Sequence, residues 1–168
     1  MRDFLSKRKT TVKVIFALLA FVVVVVSMPA SVQAKSKGYK FTYKKVSVYM
    51  GGPAKKLIKK AGKPVSKKAS KSCAYDGMDR VYQYEDFILY TYSNSNKGKE
   101  YVNGITFLTD KVKTKEGIQI GSSLEKVEKK YKNGTEEYGI YTYEKGDSCL
   151  QIEITDDVVT NIRYIKAE

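Results

Sequence analysis

The sequence has no histidine and no tryptophan, and of its 168 residues only two are cysteine and three proline. Without histidine, the side chain that most often carries protons near neutral pH is missing. A cysteine here has no imidazole partner to draw out a thiolate, and Cys73 and Cys149 lack the nitrogen ligands that would complete a soft metal site. Arginine is scarce as well. Past residue 34 only Arg80 and Arg163 occur, and arginine is the residue of bidentate phosphate and guanine contacts, so specific nucleic-acid recognition is a poor fit. Carboxylate pairs exist at Asp76 and Asp79, Glu85 and Asp86, and Asp156 and Asp157. Each falls in a turn or loop, where acidic residues serve turn geometry, and the first pair is short of the ligand count of a calcium loop. The expectation is a non-enzymatic protein with no catalytic residues, no metal and no cofactor.

Long apolar runs are also few. The one long run, 14–26, covers thirteen residues, short of the roughly 20 that a helix needs to cross a bilayer. Arg2, Lys7, Arg8, Lys9 and Lys13 precede it, and Val32, Gln33 and Ala34 follow after Pro29. That is the pattern of a signal peptide over 1–34. Its removal leaves 26 basic against 17 acidic residues, a net charge of +9 carried mostly by lysine. A basic exported chain is drawn to anionic surfaces such as cell-wall polymers or acidic proteins, and the expected location is secreted or cell-wall associated, with no membrane span after cleavage. Cys73 and Cys149 then meet an oxidising exterior, where they form either one disulfide or two separate thiols.

What the chain does have is self-similarity. Met50, Gly51, Leu57, Lys59 and Lys60 match Ile120, Gly121, Val127, Lys129 and Lys130, 70 positions on and without a gap. Tyr82, Tyr84 and Glu85 match Tyr141, Tyr143 and Glu144 at an offset of 59, and Val102, Ile105 and Phe107 match Val159, Ile162 and Tyr164 at an offset of 57. Fixed order with shrinking offsets is the mark of a duplicated unit whose loops have drifted. The expected fold class is α+β: two tandem repeats, each a short helical segment followed by a three-stranded antiparallel meander, with the helices on one face of the sheet. The divisions are a basic tail at 35–45, a first repeat at 46–110, a linker at 111–113 and a second repeat at 114–166. Helix signals are Pro53 at a first position and Ser122 three residues before Glu125 as a capping box. Strands are expected over 80–84, 87–92 and 101–108, then 139–143, 149–155 and 158–165, from their aromatic and β-branched content.

This arrangement resembles the β-lactamase-inhibitor-protein-like tandem αβ repeats. More narrowly, Ser72-Cys73-Ala74, Gly77-Met78-Asp79, Tyr82-Gln83-Tyr84, Phe87, Thr91-Tyr92 and the run from Thr114 to Gly121 resemble secreted and lipid-anchored proteins of Gram-positive bacteria. The chain departs from the inhibitor in having two cysteines in place of two disulfides, and from the lipid-anchored proteins in having no cysteine at the cleavage region. Membrane attachment and a target enzyme therefore do not carry over.

A sheet with helices on one face leaves the other face open. Strand alternation sets Gln151 opposite Leu150 and Ile152, Arg163 opposite Ile162 and Tyr164, and gives Tyr90 and Tyr92 a shared face. An aromatic pair with a nearby arginine is the composition of an interface anchor. Tyr90, Tyr92, Gln151 and Arg163 are therefore the expected partner-binding residues, for an extracellular protein or an anionic cell-wall polymer. Two alternatives stand beside sheet-face recognition: a basic wall-associated module held by lysine charge, and an inhibitor of an extracellular hydrolase.

Overall fold

The computed structural model describes residues 38–73 and 76–167. The expected signal segment and Ala74 of the narrower motif lie outside the described residues. The first described elements form a tight hairpin. Lys44 and Lys45 both take positive φ, 44° and 69°, the two-residue turn whose twist matches that of its flanking strands. It joins β1 (Lys40–Tyr43) to β2 (Val46–Tyr49), with Phe41 paired to Val48 and Thr42 to Ser47. Alternation sends Phe41 and Val48 inward, both buried, while the Thr42 and Ser47 hydroxyls meet outside at 2.8 Å.

Two short helices follow at separate places in the chain, α1 (Lys55–Ala61) and α2 (Leu124–Lys130). Each is seven residues long and buries one side chain, Leu57 or Val127. Helices this short are unstable alone and persist only by packing. Gly62 closes α1 at φ 86°, its N–H donating to the Ile58 carbonyl. The cap of α2 is Ser123, whose hydroxyl accepts from the Lys126 N–H. The capping box expected at Ser122 is thus displaced by one residue; Ser122 is buried and accepts instead from the Gln119 N–H at 3.1 Å.

The remaining strands are β3 (Ser66–Lys71), β4 (Met78–Gln83), β5 (Phe87–Tyr92), β6 (Tyr101–Phe107), β7 (Thr135–Glu137), β8 (Ile140–Lys145), β9 (Ser148–Thr155) and β10 (Val158–Lys166). They form one antiparallel sheet in the order β3-β4-β5-β6-β10-β9-β8-β7. Its inner face carries Phe87, Leu89, Ile105, Leu150, Ile152, Ile162 and Tyr164, all fully buried. The β1–β2 hairpin closes over its centre: the Phe41 ring lies 5.2 Å from Phe87, 5.6 Å from Phe107 and 6.2 Å from Tyr164.

This corrects the expected α+β fold of two helix-plus-three-strand repeats. The described chain is mostly β, 48% strand against 11% helix, and its strands form one continuous eight-stranded sheet beside a two-stranded one. Four of the ten strands, β1, β2, β3 and β7, lay outside the six expected. All six residues of β3 and all three of β7 are exposed, so neither shows the apolar alternation that announces a strand. The 35–45 stretch reads as a basic tail or a short edge strand, and it contributes β1 and one of the most buried rings in the protein.

The matched segments nevertheless dock alike. Gly51 and Gly121, at φ 75° and 84°, donate their N–H groups to the Val102 and Val159 carbonyls at 2.7 and 2.8 Å. The Val102 and Val159 N–H groups return bonds to the Gly52 and Ser122 carbonyls, both at 2.9 Å. One position further on in each strand, at Asn103 in β6 and Thr160 in β10, the pairing register shifts by one residue. The likeness is therefore local, in how each helix-bearing segment joins β6 or β10.

Candidate functional site

The outer face of the sheet carries no described helix or strand. In β5 the burial alternates strictly, with Phe87, Leu89 and Thr91 inward and Ile88, Tyr90 and Tyr92 outward and half-buried. Register then carries a row across the middle of this face. Gln83 pairs with Ile88, Ile88 with Thr106, Thr106 with Arg163, Arg163 with Gln151, and Gln151 with Thr142. Five of these six side chains are polar, so this is a hydrogen-bonding strip, unlike the apolar inner face.

Beside the strip lies a depression of about 310 Å³, lined among others by Tyr90, Asn103, Thr106, Asn161, Arg163 and Ile165. Its floor is Gly104, the cross-strand partner of both Tyr90 and Ile165. A Cβ on Gly104 would lie 2.9 Å from the Tyr164 carbonyl oxygen, so only glycine fits there without moving β10. The register shift at Asn103 adjoins this floor; such bulges re-aim neighbouring side chains, and they are over-represented next to functional sites.

Of the four expected site residues, the structure brings Tyr90 and Arg163 together in the depression. Gln151 sits directly across from Arg163 on β9. Tyr92 is on the same face but outside the depression, with the Tyr101 ring 5.6 Å away and the Lys166 ammonium 6.0 Å from its centroid. Among the described residues, Arg163 has neither an ion-pair nor a hydrogen-bond partner. Asn161, by contrast, donates to the Glu153 carboxylate at 3.4 Å. The site thus offers an uncommitted guanidinium beside a tyrosine ring, which suits a planar carboxylate flanked by apolar surface.

Cys73 is exposed and Cys149 half-buried, and each is a free thiol. Burial, helped by the Glu144 carboxylate, pushes the Cys149 thiol above its ordinary range, which keeps it protonated and a poor nucleophile. Among the described residues no three His, Cys, Asp or Glu side chains gather to hold a metal, and no helix is long and apolar enough to cross a membrane.

Sequence reasoning missed a second, larger hollow on the helix-bearing side. A cleft of about 860 Å³ lies between β2, α1 and the 98–100 segment. Glu100 lines it, accepting from the Tyr82 hydroxyl at 2.9 Å and the Thr91 hydroxyl at 3.0 Å, with the Arg80 Nε 3.7 Å away. Burial first, and then this hydrogen bond, push the Tyr82 phenol well above its ordinary range. The available signal was the Lys55, Lys56, Ile58, Lys59 grouping on one short helix, but the other walls come from distant parts of the chain.

No protein-family model, curated protein or solved structure matches the chain. The reading of function therefore rests on this chain's own geometry.

Proposed function

We propose that this is an exported binding protein that recognises the acidic surface of an extracellular protein with the open face of its eight-stranded sheet. The observation that carries the proposal is the depression shared by Tyr90 and an unpaired Arg163 over Gly104. Tyrosine supplies contact area with a polar tip, and arginine beside it supplies a forked donor pair. Gln151 and Tyr92 extend the contact along and beside the strip. Truncating a true anchor of this kind costs roughly 2 kcal/mol or more of binding.

The test is alanine replacement at Tyr90, Tyr92, Gln151 and Arg163, with partner capture from an extracellular fraction at physiological salt. Loss of a specific partner in Arg163→Ala and Tyr90→Ala at unchanged thermal stability supports the reading. Equal capture by wild type and all four variants sinks it.

A second reading has its own observation. Lysines are dense on two elements, with Lys67, Lys68 and Lys71 on the fully exposed β3 and Lys55, Lys56, Lys59 and Lys60 on α1. In that reading the chain adheres to an anionic cell-wall polymer by charge. Salt separates the two, since lysine adsorption fades as ions screen it, with a Debye length of about 8 Å at physiological ionic strength.

A further inference from the structure

The 860 Å³ cleft differs in chemistry from the open face and lies on the other side of the sheet. Its size falls in the roughly 300–1,000 Å³ range of small-molecule sites. Val48 and Tyr82 line it from the buried core, and Pro53 and Ile58 complete an apolar wall. The mouth is cationic. Lys55, Lys56 and Lys59 stand on α1, and Lys99 stands on the 98–100 segment; all four are exposed. The cleft has one carboxylate, Glu100, and it is already engaged by the Tyr82 and Thr91 hydroxyls and by Arg80. An incoming ligand therefore meets four positive charges at the mouth and apolar surface within.

We infer that this cleft binds a single-chain amphiphile with an anionic head, its chain against Val48, Ile58 and Tyr82 and its head among the four lysines. Lysine suits this task. Its ammonium is a mobile point charge that accepts a carboxylate or a phosphate without a fixed geometry, unlike the arginine fork on the open face. The apolar interior excludes a fully charged polymer as occupant, because burying unpaired charge there would cost far more than the lysines return.

The full chain would be titrated by calorimetry with dodecanoate and dodecyl phosphate, both below their aggregation concentrations. Acetate serves as a head without a chain, and dodecyltrimethylammonium as the same chain with the opposite charge. Saturable binding of either anionic amphiphile, with neither control binding, is the expected result; which of the two binds more tightly identifies the head as carboxylate or phosphate. The double variant Lys55→Glu, Lys59→Glu should weaken binding by roughly tenfold. Lys99→Glu, on the facing segment, should weaken it in the same direction, and both variants are surface changes whose folding is checked by melting. Arg163→Ala should bind the amphiphile like wild type, so failure of this inference and failure of the open-face reading are separable. Absence of binding by both anionic amphiphiles overturns the inference. So does equal binding of dodecyltrimethylammonium, or binding untouched by the lysine reversals in folded protein. Adsorption to anionic-lipid vesicles without binding of either monomeric amphiphile also overturns it, because that is charge attraction to a membrane surface and not occupancy of the cleft.

Discussion

Replacing Phe41 with alanine should cost about as much stability as any single change in the protein. The ring is fully buried and touches three aromatic neighbours, Phe87, Phe107 and Tyr164, at centroid distances of 5.2 to 6.2 Å. Its transfer from water is worth roughly 1.5–3 kcal/mol. A cavity term adds to this, because a β-strand backbone paired to β2 cannot collapse into the space, and comparable deletions cost about 3–5 kcal/mol in total. Against a typical domain stability of about 5–15 kcal/mol, that is a large fraction. For a unit the size of Lys35–Glu168, one kcal/mol moves the melting temperature by about 4 °C, so the expected fall is roughly 10–20 °C. Denaturant unfolding followed by circular dichroism measures the change, and an unaltered slope would show that the cooperative unit is preserved. Thr42→Ala is the internal control. Its neighbour in sequence is the critical ring, yet Thr42 is exposed and bonds only the exposed side of the hairpin, so its cost should stay within about 0.5 kcal/mol. If Phe41→Ala cost less than about 1 kcal/mol, the hairpin would not be part of the core and the packing argument would fail.

Ser123→Ala removes the side-chain cap of α2 and should cost about 1 kcal/mol in thermal or chemical unfolding, whereas Ser122→Ala leaves that cap intact. Gly104→Val fills the depression floor and drives a Cβ against the Tyr164 carbonyl oxygen at 2.9 Å; it should cost roughly 1–3 kcal/mol and abolish open-face binding together. The alkaline limb of stability should depend on Tyr39, whose phenol is pushed up to about 12 by burial and then by the Glu116 charge. A phenol that holds its proton longer when folded contributes stability that is intact below the ordinary value near 10 and is lost as pH rises from there towards 12. Urea midpoints across that window should therefore fall less steeply in Tyr39→Phe than in wild type, and an identical slope would remove Tyr39 from the account.

Strands that bury one face were legible, because burial imposes a period of two. In β5 and β9 that period placed Tyr90, Tyr92 and Gln151 on the outer face, and the Ile162 and Tyr164 pair did the same for Arg163. Strands that bury nothing were not legible. Ser66–Lys71 is held in the sheet chiefly by backbone pairing to β4, and backbone pairing leaves no mark on side-chain choice. The turns at Gly51 and Gly121 were legible from matched glycines. The neighbouring cap was not, because two adjacent serines precede α2 and only three-dimensional burial tells Ser122 from Ser123. The balance of helix and strand was misjudged for the same reason: the two short helices were expected and are present, but β1, β2 and the exposed β3 and β7 were not among the expected strands. The 860 Å³ cleft was hidden most completely, since Val48, Ile58, Tyr82 and Lys99 come from four separate elements or loops.

An open eight-stranded sheet has two edges as well as a face, and the edges bear on how it meets a partner. An unpaired edge is a template for another strand unless something discourages pairing. Here β3 presents Lys67, Lys68 and Lys71 along one edge, so two copies meeting edge to edge there would set like charges opposite one another, which is destabilising. The other edge, β7, is only three residues long and carries Glu136 and Glu137. A β3 edge against a β7 edge would be complementary in charge, but it would engage at most the three residues that β7 has. Strand addition is therefore weak at both ends of this sheet. The outer face has the opposite character: a polar strip across six strands, an unpaired guanidinium, and apolar Ile88 and Ile165 separated by Thr106 and Arg163 in the pairing register. Apolar positions broken up in this way do not form the continuous patch that marks a permanent interface, whereas the strip can satisfy a polar partner that arrives and leaves. The charges on the edges and the polarity of the face thus favour reversible recognition by the face over assembly through the edges.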